Sequence, residues 1–232
     1  MKIIGIIFVL MIIGFVIIPV SLNLCKEKIW EFVKENIEKD ARYKKMMKDM
    51  LKGKNEMEIL GIDAATKKTG YSILNSETGD LVDYGLIETS SVDVRDRMKE
   101  IYSKLKEIIT NNDNIKVVVV EDVPVNNHSN LKTGKDLSIL HGVILGVCFE
   151  QHLPCVVYAP SSWRSVVETY DGTRQGMKRE VQKQTAVNKV NEIYNLDFNY
   201  YPRDTKKNKS DDDKAEAILI ARALYLENKE EI

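Results

Sequence analysis

The sequence predicts an α/β domain built on a mixed five-stranded sheet flanked by helices and preceded by an N-terminal transmembrane helix. Three strand patterns follow one another between residues 57 and 89, which is typical of an antiparallel meander. A run of valines at 117–120 then follows a helical pattern, as expected for a strand covered on both faces. Strand and helix patterns alternate after that point, so the later strands are expected to be parallel.

The N-terminal residues 3–20 are uncharged and apolar over about the length that crosses a bilayer core. Basic residues are more frequent after this segment than before it, and basic flanks stay on the cytoplasmic side. We therefore expect residues 1–24 to form a single-pass transmembrane or signal-anchor segment, with the bulk of the protein on the cytoplasmic side of a membrane. A cleaved signal peptide fits less well, because no convincing cleavage site follows. The alternative is an untranslated upstream extension with Met57 or a nearby methionine as the start, which makes the protein cytoplasmic.

Residues 25–56 mix lysine and glutamate with apolar residues at helical spacing, which predicts a charged helical linker before a globular domain at 57–232. The net charge of −1 gives no overall signature of nucleic-acid binding, so such binding would rest on local basic patches. The three cysteines and three histidines lack the spacing of a structural zinc site.

Strands and helices of the domain are predicted in the following order. The strands are EILGID (58–63), GYSILN (70–75), LVDYGLIET (81–89), KVVVVED (116–122) and PCVVYAP (154–160). The helices are expected at 92–112 and 136–152, within a helix-rich segment at 161–194, and in a terminal helix from residue 210 that follows a basic loop.

Acidic residues stand at the ends of three of these elements. Asp63 ends the first strand, Glu121 ends the valine strand, and Asp213 and Glu216 open the terminal helix. Strand ends are where sites form in α/β sheets. Asp213 and Glu216 lie on one helix face, where two carboxylates repel each other unless a cation or a proton lies between them. The structural alternative is a capping box formed by Ser210 and Asp213.

Three motifs that contain these acids resemble those of the RuvC-type Holliday junction resolvases. The motifs are GIDAATKKTGYSIL, VVVVEDVPV and DDKAEAILIA, and the resemblance extends over residues 57 to about 227. PSSWRSVV and MKREV look similar to the phage and viral branch of this family. The resemblance implies an RNase H-like (retroviral-integrase-like) fold and a metal-dependent endonuclease that resolves four-way DNA junctions by paired symmetric nicks, leaving 5′-phosphate ends. It also implies a homodimer, for which the helix at 132–151 is a plausible interface through Leu137, Leu140, Ile144 and Leu145.

The resemblance also implies the site residues. The four carboxylates would hold two Mg²⁺ ions roughly 4 Å apart, with Mn²⁺ as a substitute, and Lys178 would be a further catalytic residue. Asp211 and Asp212 are expected to be cap and solvent residues, with Asp212 a possible substitute ligand. The candidates for contacts with DNA phosphates are Lys67, Lys68, Lys132, Lys135, Arg164, Arg179, Lys206, Lys207 and Lys209.

Two positions depart from the bacterial pattern. Glu216 stands where Asp is usual, which lengthens the ligand by one methylene and keeps its charge. Pro124 stands where an aromatic residue helps to open the junction centre, so that base stacking would fall to His128 or to no residue. We interpret His141 and Trp163 as packed residues of the domain.

Three other functions are weighed against this one. An actin-like or sugar-kinase-like ATPase also opens with a strand, an Asp and a hairpin, but needs two such domains and glycine-rich adenosine motifs, which this chain lacks. A nuclease of the same superfamily could act on other branched DNA or on RNA, and the sequence does not separate the substrates. An inactive membrane-tethered binding module is disfavoured because all four acids are present.

Overall fold

The computed structural model describes residues 57–123, 131–170, 172–173, 178–205 and 207–230. These residues belong to a compact unit that spans Gly53–Ile232. The predicted membrane segment at 1–24 and the predicted linker at 25–56 lie outside the described residues. Within the described ranges, no helix is both long and apolar enough to cross a bilayer.

One mixed sheet of five strands forms the centre of the fold. The strands are β1 (Glu58–Asp63), β2 (Lys68–Asn75), β3 (Leu81–Glu88), β4 (Ile115–Glu121) and β5 (Cys155–Tyr158). They lie in the order β3-β2-β1-β4-β5. The first three pair antiparallel, whereas β4 pairs parallel with β1 and with β5. The predicted meander followed by parallel strands is confirmed.

Five helices accompany the sheet in the described residues. They are α1 (Val94–Thr110), α2 (Leu131–Glu150), α3 (Pro160–Val166), α4 (Arg179–Tyr194) and α5 (Asp212–Glu230). The side chain of Asp93 caps α1 by accepting a hydrogen bond from the backbone N–H of Arg95 at 2.8 Å. Pro160 opens α3, where its missing N–H costs nothing, and Asn195 ends α4 in the left-handed region.

Helices α1 and α2 bury one face of the sheet. Their apolar residues pack with Leu60 and Ile62 of β1 and with Val118 and Val120 of β4. All four valines at 117–120 are fully buried, as expected for a strand with helices on both sides. Trp163 is also fully buried, which agrees with its interpretation as a packed residue.

Helix α5 lies directly against the backbone of β1 and β2 on the other face. A methyl group on Gly61 would come within 2.7 Å of the Cβ of Ala221, and one on Gly70 within 2.6 Å of the carbonyl carbon of Asp213. The hydroxyl of Ser72 donates a hydrogen bond to the carbonyl of Ala217 at 2.9 Å. Glycines on the strands and alanines on the helix therefore let the two backbones meet, which fixes the start of α5 beside the end of β1.

The predicted interface on α2 needs a correction. Leu140 and Ile144 are fully buried in the core of the same chain, because this side of α2 packs on the sheet and on α1. Leu137 and Leu145 are half-buried, whereas the exposed apolar side chains of this helix are Ile139 and Phe149. Leu140 and Ile144 therefore cannot contact a second subunit.

Candidate active site

The carboxylates predicted from the sequence converge at one edge of the sheet. Asp63 and Glu121 end the parallel neighbours β1 and β4, so both lie at the same edge. The contact of Gly70 with the backbone of Asp213 brings the start of α5 to this edge. Burial raises the pKa of Asp63 well above its usual range, and the charges of Glu216, Asp213 and Glu121 raise it further. The four acids are thus close enough for the charges of the other three to act on Asp63.

Glu121 is held by groups from two other elements. Trp163 donates a hydrogen bond from its indole Nε1 to the Oε2 of Glu121 at 3.2 Å. The Nε2 of His141 lies 2.7 Å from the backbone carbonyl oxygen of Glu121, so this half-buried histidine holds the end of β4 and not the carboxylate. Burial raises the pKa of the Glu121 carboxyl, and the Arg164 guanidinium opposes that rise.

Arg164 places a buried positive charge between two of the acids. Its Nη2 donates to the Oε1 of Glu216 at 2.7 Å and lies 3.8 Å from the Oε2 of Glu121. The guanidinium carbon stacks 3.9 Å from the ring centroid of Trp163. Only 7% of the Arg164 side chain is exposed, and its Nε and Nη1 have no hydrogen-bond partner among the described residues. This arginine, predicted to contact DNA phosphates, is engaged with the carboxylates.

Lys183 of α4 places a second buried cation in the cluster. Its Nζ hydrogen-bonds to the carboxylate of Asp212 and lies 3.1 Å from Asp213 Oδ1 and 3.6 Å from Glu216 Oε2. The side chain is 12% exposed. Sequence reasoning missed this residue, although a signal was present: Lys183 lies four and seven residues before the buried Val187 and Val190 on one helix face.

Ser210, Asp211 and Asp212 have different environments, although they are adjacent in the chain. Asp212 is buried and paired with Lys183, so its expected role as a cap or solvent residue is wrong. Asp211 accepts a hydrogen bond from the backbone N–H of Asn199 at 3.0 Å and pairs with Lys214 at 2.5 Å. The hydroxyl of Ser210 accepts a hydrogen bond from the backbone N–H of Tyr201 at 3.2 Å, in place of the capping-box bond.

The lysines and arginines predicted to meet DNA are mostly on the surface. Lys178 is exposed at the residue before α4, and Lys183, not Lys178, contacts the acids in the described structure. Lys68 pairs with Asp204. Pro124, His128 and Lys206 lie outside the described residues. The exposed candidates are Lys67, Lys132, Lys135, Arg179, Lys207 and Lys209.

The donor set suits a divalent cation, and ion pairs with Arg164 and Lys183 occupy the part of it that belongs to α5. Carboxylate oxygens are the ligands that Mg²⁺ and Mn²⁺ prefer. Five carboxylates face two cations here, which leaves a formal excess of three negative charges when all five are ionised as metal ligands. The five are Asp63, Glu121, Asp212, Asp213 and Glu216. No three acidic, histidine or cysteine side chains of the described part already surround one point as metal ligands would.

Comparison with known proteins identifies a family for most of this domain. The family described as "Crossover junction endodeoxyribonuclease RuvC" matches residues 59–218. A relative of that name from Histophilus somni is 33% identical over 129 residues, which is 54% of this chain and 64% of the relative. The aligned part thus spans slightly less than two thirds of that protein.

Other relatives are covered more fully. The one from Caldicellulosiruptor saccharolyticus is 32% identical over 131 residues, 55% of this chain and 75% of the relative. The one from Syntrophomonas wolfei is 29% identical over 168 residues, 71% of this chain and 86% of the relative. Both are named crossover junction endodeoxyribonuclease RuvC.

Solved structures share the fold. Thermus thermophilus RuvC in complex with a Holliday junction substrate superposes with a TM-score of 0.55 at 18% identity, covering 74% of this chain and 96% of that one. The yeast mitochondrial Holliday junction resolvase gives a TM-score of 0.50 at 14% identity, covering 75% and 80%. Both agree with the fold predicted from the three acidic motifs.

The predicted membrane location is wrong. The matching family and relatives are named as crossover junction endodeoxyribonucleases, and the family match covers residues 59–218. Within the described ranges no helix could span a bilayer.

Proposed function

Because the chain belongs to the RuvC family of crossover junction endodeoxyribonucleases, we propose that it resolves four-way DNA junctions in recombination and repair. It does so by paired symmetric nicks that leave 5′-phosphate ends. The observation that carries the proposal is the convergence of four acidic side chains from β1, β4 and α5 at one edge of the sheet. The nuclease domain comprises residues 57–232.

The carboxylates of Asp63, Glu121, Asp213 and Glu216 would hold Mg²⁺, with Mn²⁺ as a substitute, and their number could serve two ions. When bound, such ions activate a water molecule and stabilise the leaving 3′ oxygen of the phosphodiester. The main support is the excess of negative charge, since crowded carboxylates are stable only with cations or protons between them.

The surrounding residues orient these ligands. The indole N–H of Trp163 holds the Oε2 of Glu121, and the guanidinium of Arg164 lies 3.8 Å from the same oxygen. Arg164 also holds Glu216, so that it links the strand half of the site to the helix half. Water attacks the phosphorus atom, the bond to the 3′ oxygen breaks, and the phosphate stays on the 5′ end.

DNA binding is assigned to the exposed basic residues, because phosphate contacts position a strand without reading its sequence. Lys67 follows Asp63 in the chain, and Lys207 and Lys209 precede α5, so these three flank the carboxylates in sequence. Lys178 remains our candidate for a further catalytic lysine. A homodimer supplies the second site, because both strands of a junction must be cut.

The test is cleavage by the full-length protein of a labelled four-way junction, compared with linear duplex, flap DNA and structured RNA. Paired nicks that are confined to the junction and require Mg²⁺ or Mn²⁺ support the proposal. Cutting of flaps or RNA would keep the metal site and change the substrate. No cutting of any substrate would contradict a nuclease.

Asp63→Asn tests the site itself. We expect it to lower the cleavage rate by at least about a hundredfold, because it removes a charged ligand, while binding of the junction persists. Asp80→Asn, an exposed aspartate between β2 and β3, is the matched control and should cut normally. Normal cleavage by Asp63→Asn would show that the carboxylate assignment is wrong.

A further inference from the structure

The ammonium group of Lys183 stands where a metal ion would be expected. It contacts the carboxylates of Asp212, Asp213 and Glu216, all from the first turns of α5. Because the proposed function requires cations among these acids, we propose that Lys183 takes the place of one of two metal ions. The site of this chain then binds a single divalent ion.

The chemistry of the contact suits a permanent cation. An ammonium group has three N–H donors and no acceptor, and three carboxylates face it. The group therefore supplies a full positive charge at this position.

The lysine is also anchored, unlike an exchangeable ion. Helix α4 buries Ala186, Val187 and Val190, and the Lys183 side chain itself is 12% exposed. The packed helix therefore holds the ammonium group beside the acids of α5.

The other half of the site remains available for a metal ion. Among the described residues, no cation forms an ion pair with Asp63, and Glu121 has only the 3.8 Å contact with Arg164. Counted as ionised ligands, the five carboxylates exceed Lys183 and Arg164 by three negative charges. One divalent ion reduces this excess to a single charge, whereas two ions would make the cluster positive.

The experiment counts bound Mn²⁺ per chain. Full-length protein in metal-free buffer is titrated with Mn²⁺, and free Mn²⁺ is measured by its electron paramagnetic resonance signal. The variants are Lys183→Met, which keeps the apolar stem and removes the charge, and Lys189→Met as the control. Lys189 lies on the same helix and pairs at 3.3 Å with Glu168, an exposed residue.

We expect one bound ion for the wild type and for Lys189→Met, and two for Lys183→Met. Two ions on the wild type would overturn the inference and leave the proposed metal-dependent nuclease standing. One ion on both the wild type and Lys183→Met would also overturn it. No bound ion on any of the proteins would count against the inference and the metal site together, which the cleavage assay would show separately. If Lys183→Met does not fold, Lys183→Gln replaces it in the same titration with the same expected counts.

Discussion

At the scale of single residues, Asp63 carries a free-energy cost in the metal-free protein. Its carboxyl is desolvated and surrounded by Glu216, Asp213 and Glu121, which together raise its pKa well above the usual range. The folded state therefore binds a proton more tightly at Asp63 than the unfolded state does. Functional sites often keep such a cost, because the same crowding attracts the ligand.

We expect Asp63→Asn to raise the melting temperature of the metal-free protein at neutral pH. The unfolded carboxyl ionises near pH 4. Since its folded pKa is raised, the contribution of Asp63 to stability falls as pH rises above that value. The measurement is thermal unfolding in EDTA at several pH values. The advantage of Asp63→Asn should disappear as pH falls towards 4, and a lower melting temperature for the variant at pH 7 would contradict the argument.

Arg164 is expected to matter more for stability than an exposed ion pair. Arg164→Met leaves Glu216 without its 2.7 Å partner in a buried site, and breaking a buried pair costs about 3–5 kcal/mol. Lys189→Met breaks the exposed pair with Glu168 and should change the free energy of unfolding by about 1 kcal/mol or less. Urea unfolding in EDTA measures both. Equal effects of the two substitutions would contradict a structural role for the Arg164 charge.

At the scale of elements, the contact between α5 and the sheet sets the geometry of the site. Gly70 of β2 lies against the backbone of Asp213, and Gly61 of β1 lies against Ala217 and Ala221. No side chain separates these backbones. A substitution on a strand can therefore move two carboxylates that belong to a helix.

Gly70→Ala should displace the start of α5 and impair the site without touching a carboxylate. We expect a loss of about 1–3 kcal/mol in the free energy of unfolding from overpacking. The cleavage rate should fall by about a hundredfold, because a shift of roughly 1 Å misplaces the reacting groups. Urea unfolding and the junction cleavage assay measure the two effects.

Gly142→Ala is the matched control for that substitution. Gly142 lies within α2, and a Cβ there would meet nothing within 4 Å. Alanine should raise the free energy of unfolding by about 0.5–1 kcal/mol through helix propensity, and cleavage should not change. If Gly70→Ala cut as fast as Gly142→Ala, the backbone contact would not be what positions Asp213 and Glu216.

The elements themselves could be predicted because their signals are local. The strand ends placed Asp63 and Glu121, and parallel pairing of β1 with β4 then brings both to one edge. The pairing of Lys183 with Asp212 could not be predicted, because the two residues lie 29 positions apart and belong to different helices. The spacing of the apolar residues shows that one face of α4 is buried. It does not show which charged residues of other elements that face contacts. The same limit applies to the indole N–H of Trp163 on Glu121.

At the scale of the whole molecule, the balanced net charge of −1 conceals an uneven arrangement. The five acids of the site lie together at the end of the sheet, while several lysines near them in sequence are exposed. DNA would therefore be attracted by local basic residues around a strongly acidic centre. Because the net charge is close to zero, the electrostatic field of the whole protein contributes little to that attraction.

We expect Lys67→Ala to weaken junction binding to a similar degree for every DNA sequence. It should also lower the slope of log affinity against log salt by about 1, because one phosphate contact is lost. Lys99→Ala on α1, which pairs with Asp96 at 2.9 Å, is the control and should leave the slope unchanged. Fluorescence anisotropy at several salt concentrations measures both, and equal slopes for the two variants would contradict the role given to Lys67.

The direct contact of α5 with the strands has a mechanical consequence. Asp213 and Glu216 lie on a helix whose backbone packs directly on the strands. The helix cannot shift without losing that contact, so these two acids form a rigid set with Asp63 and Glu121. Arg164 of α3 and Lys183 of α4 reach these carboxylates with their charged groups. Because α3 and α4 also pack against α5, the two positive charges stay with the carboxylates, and a DNA strand that enters the site meets a rigid frame.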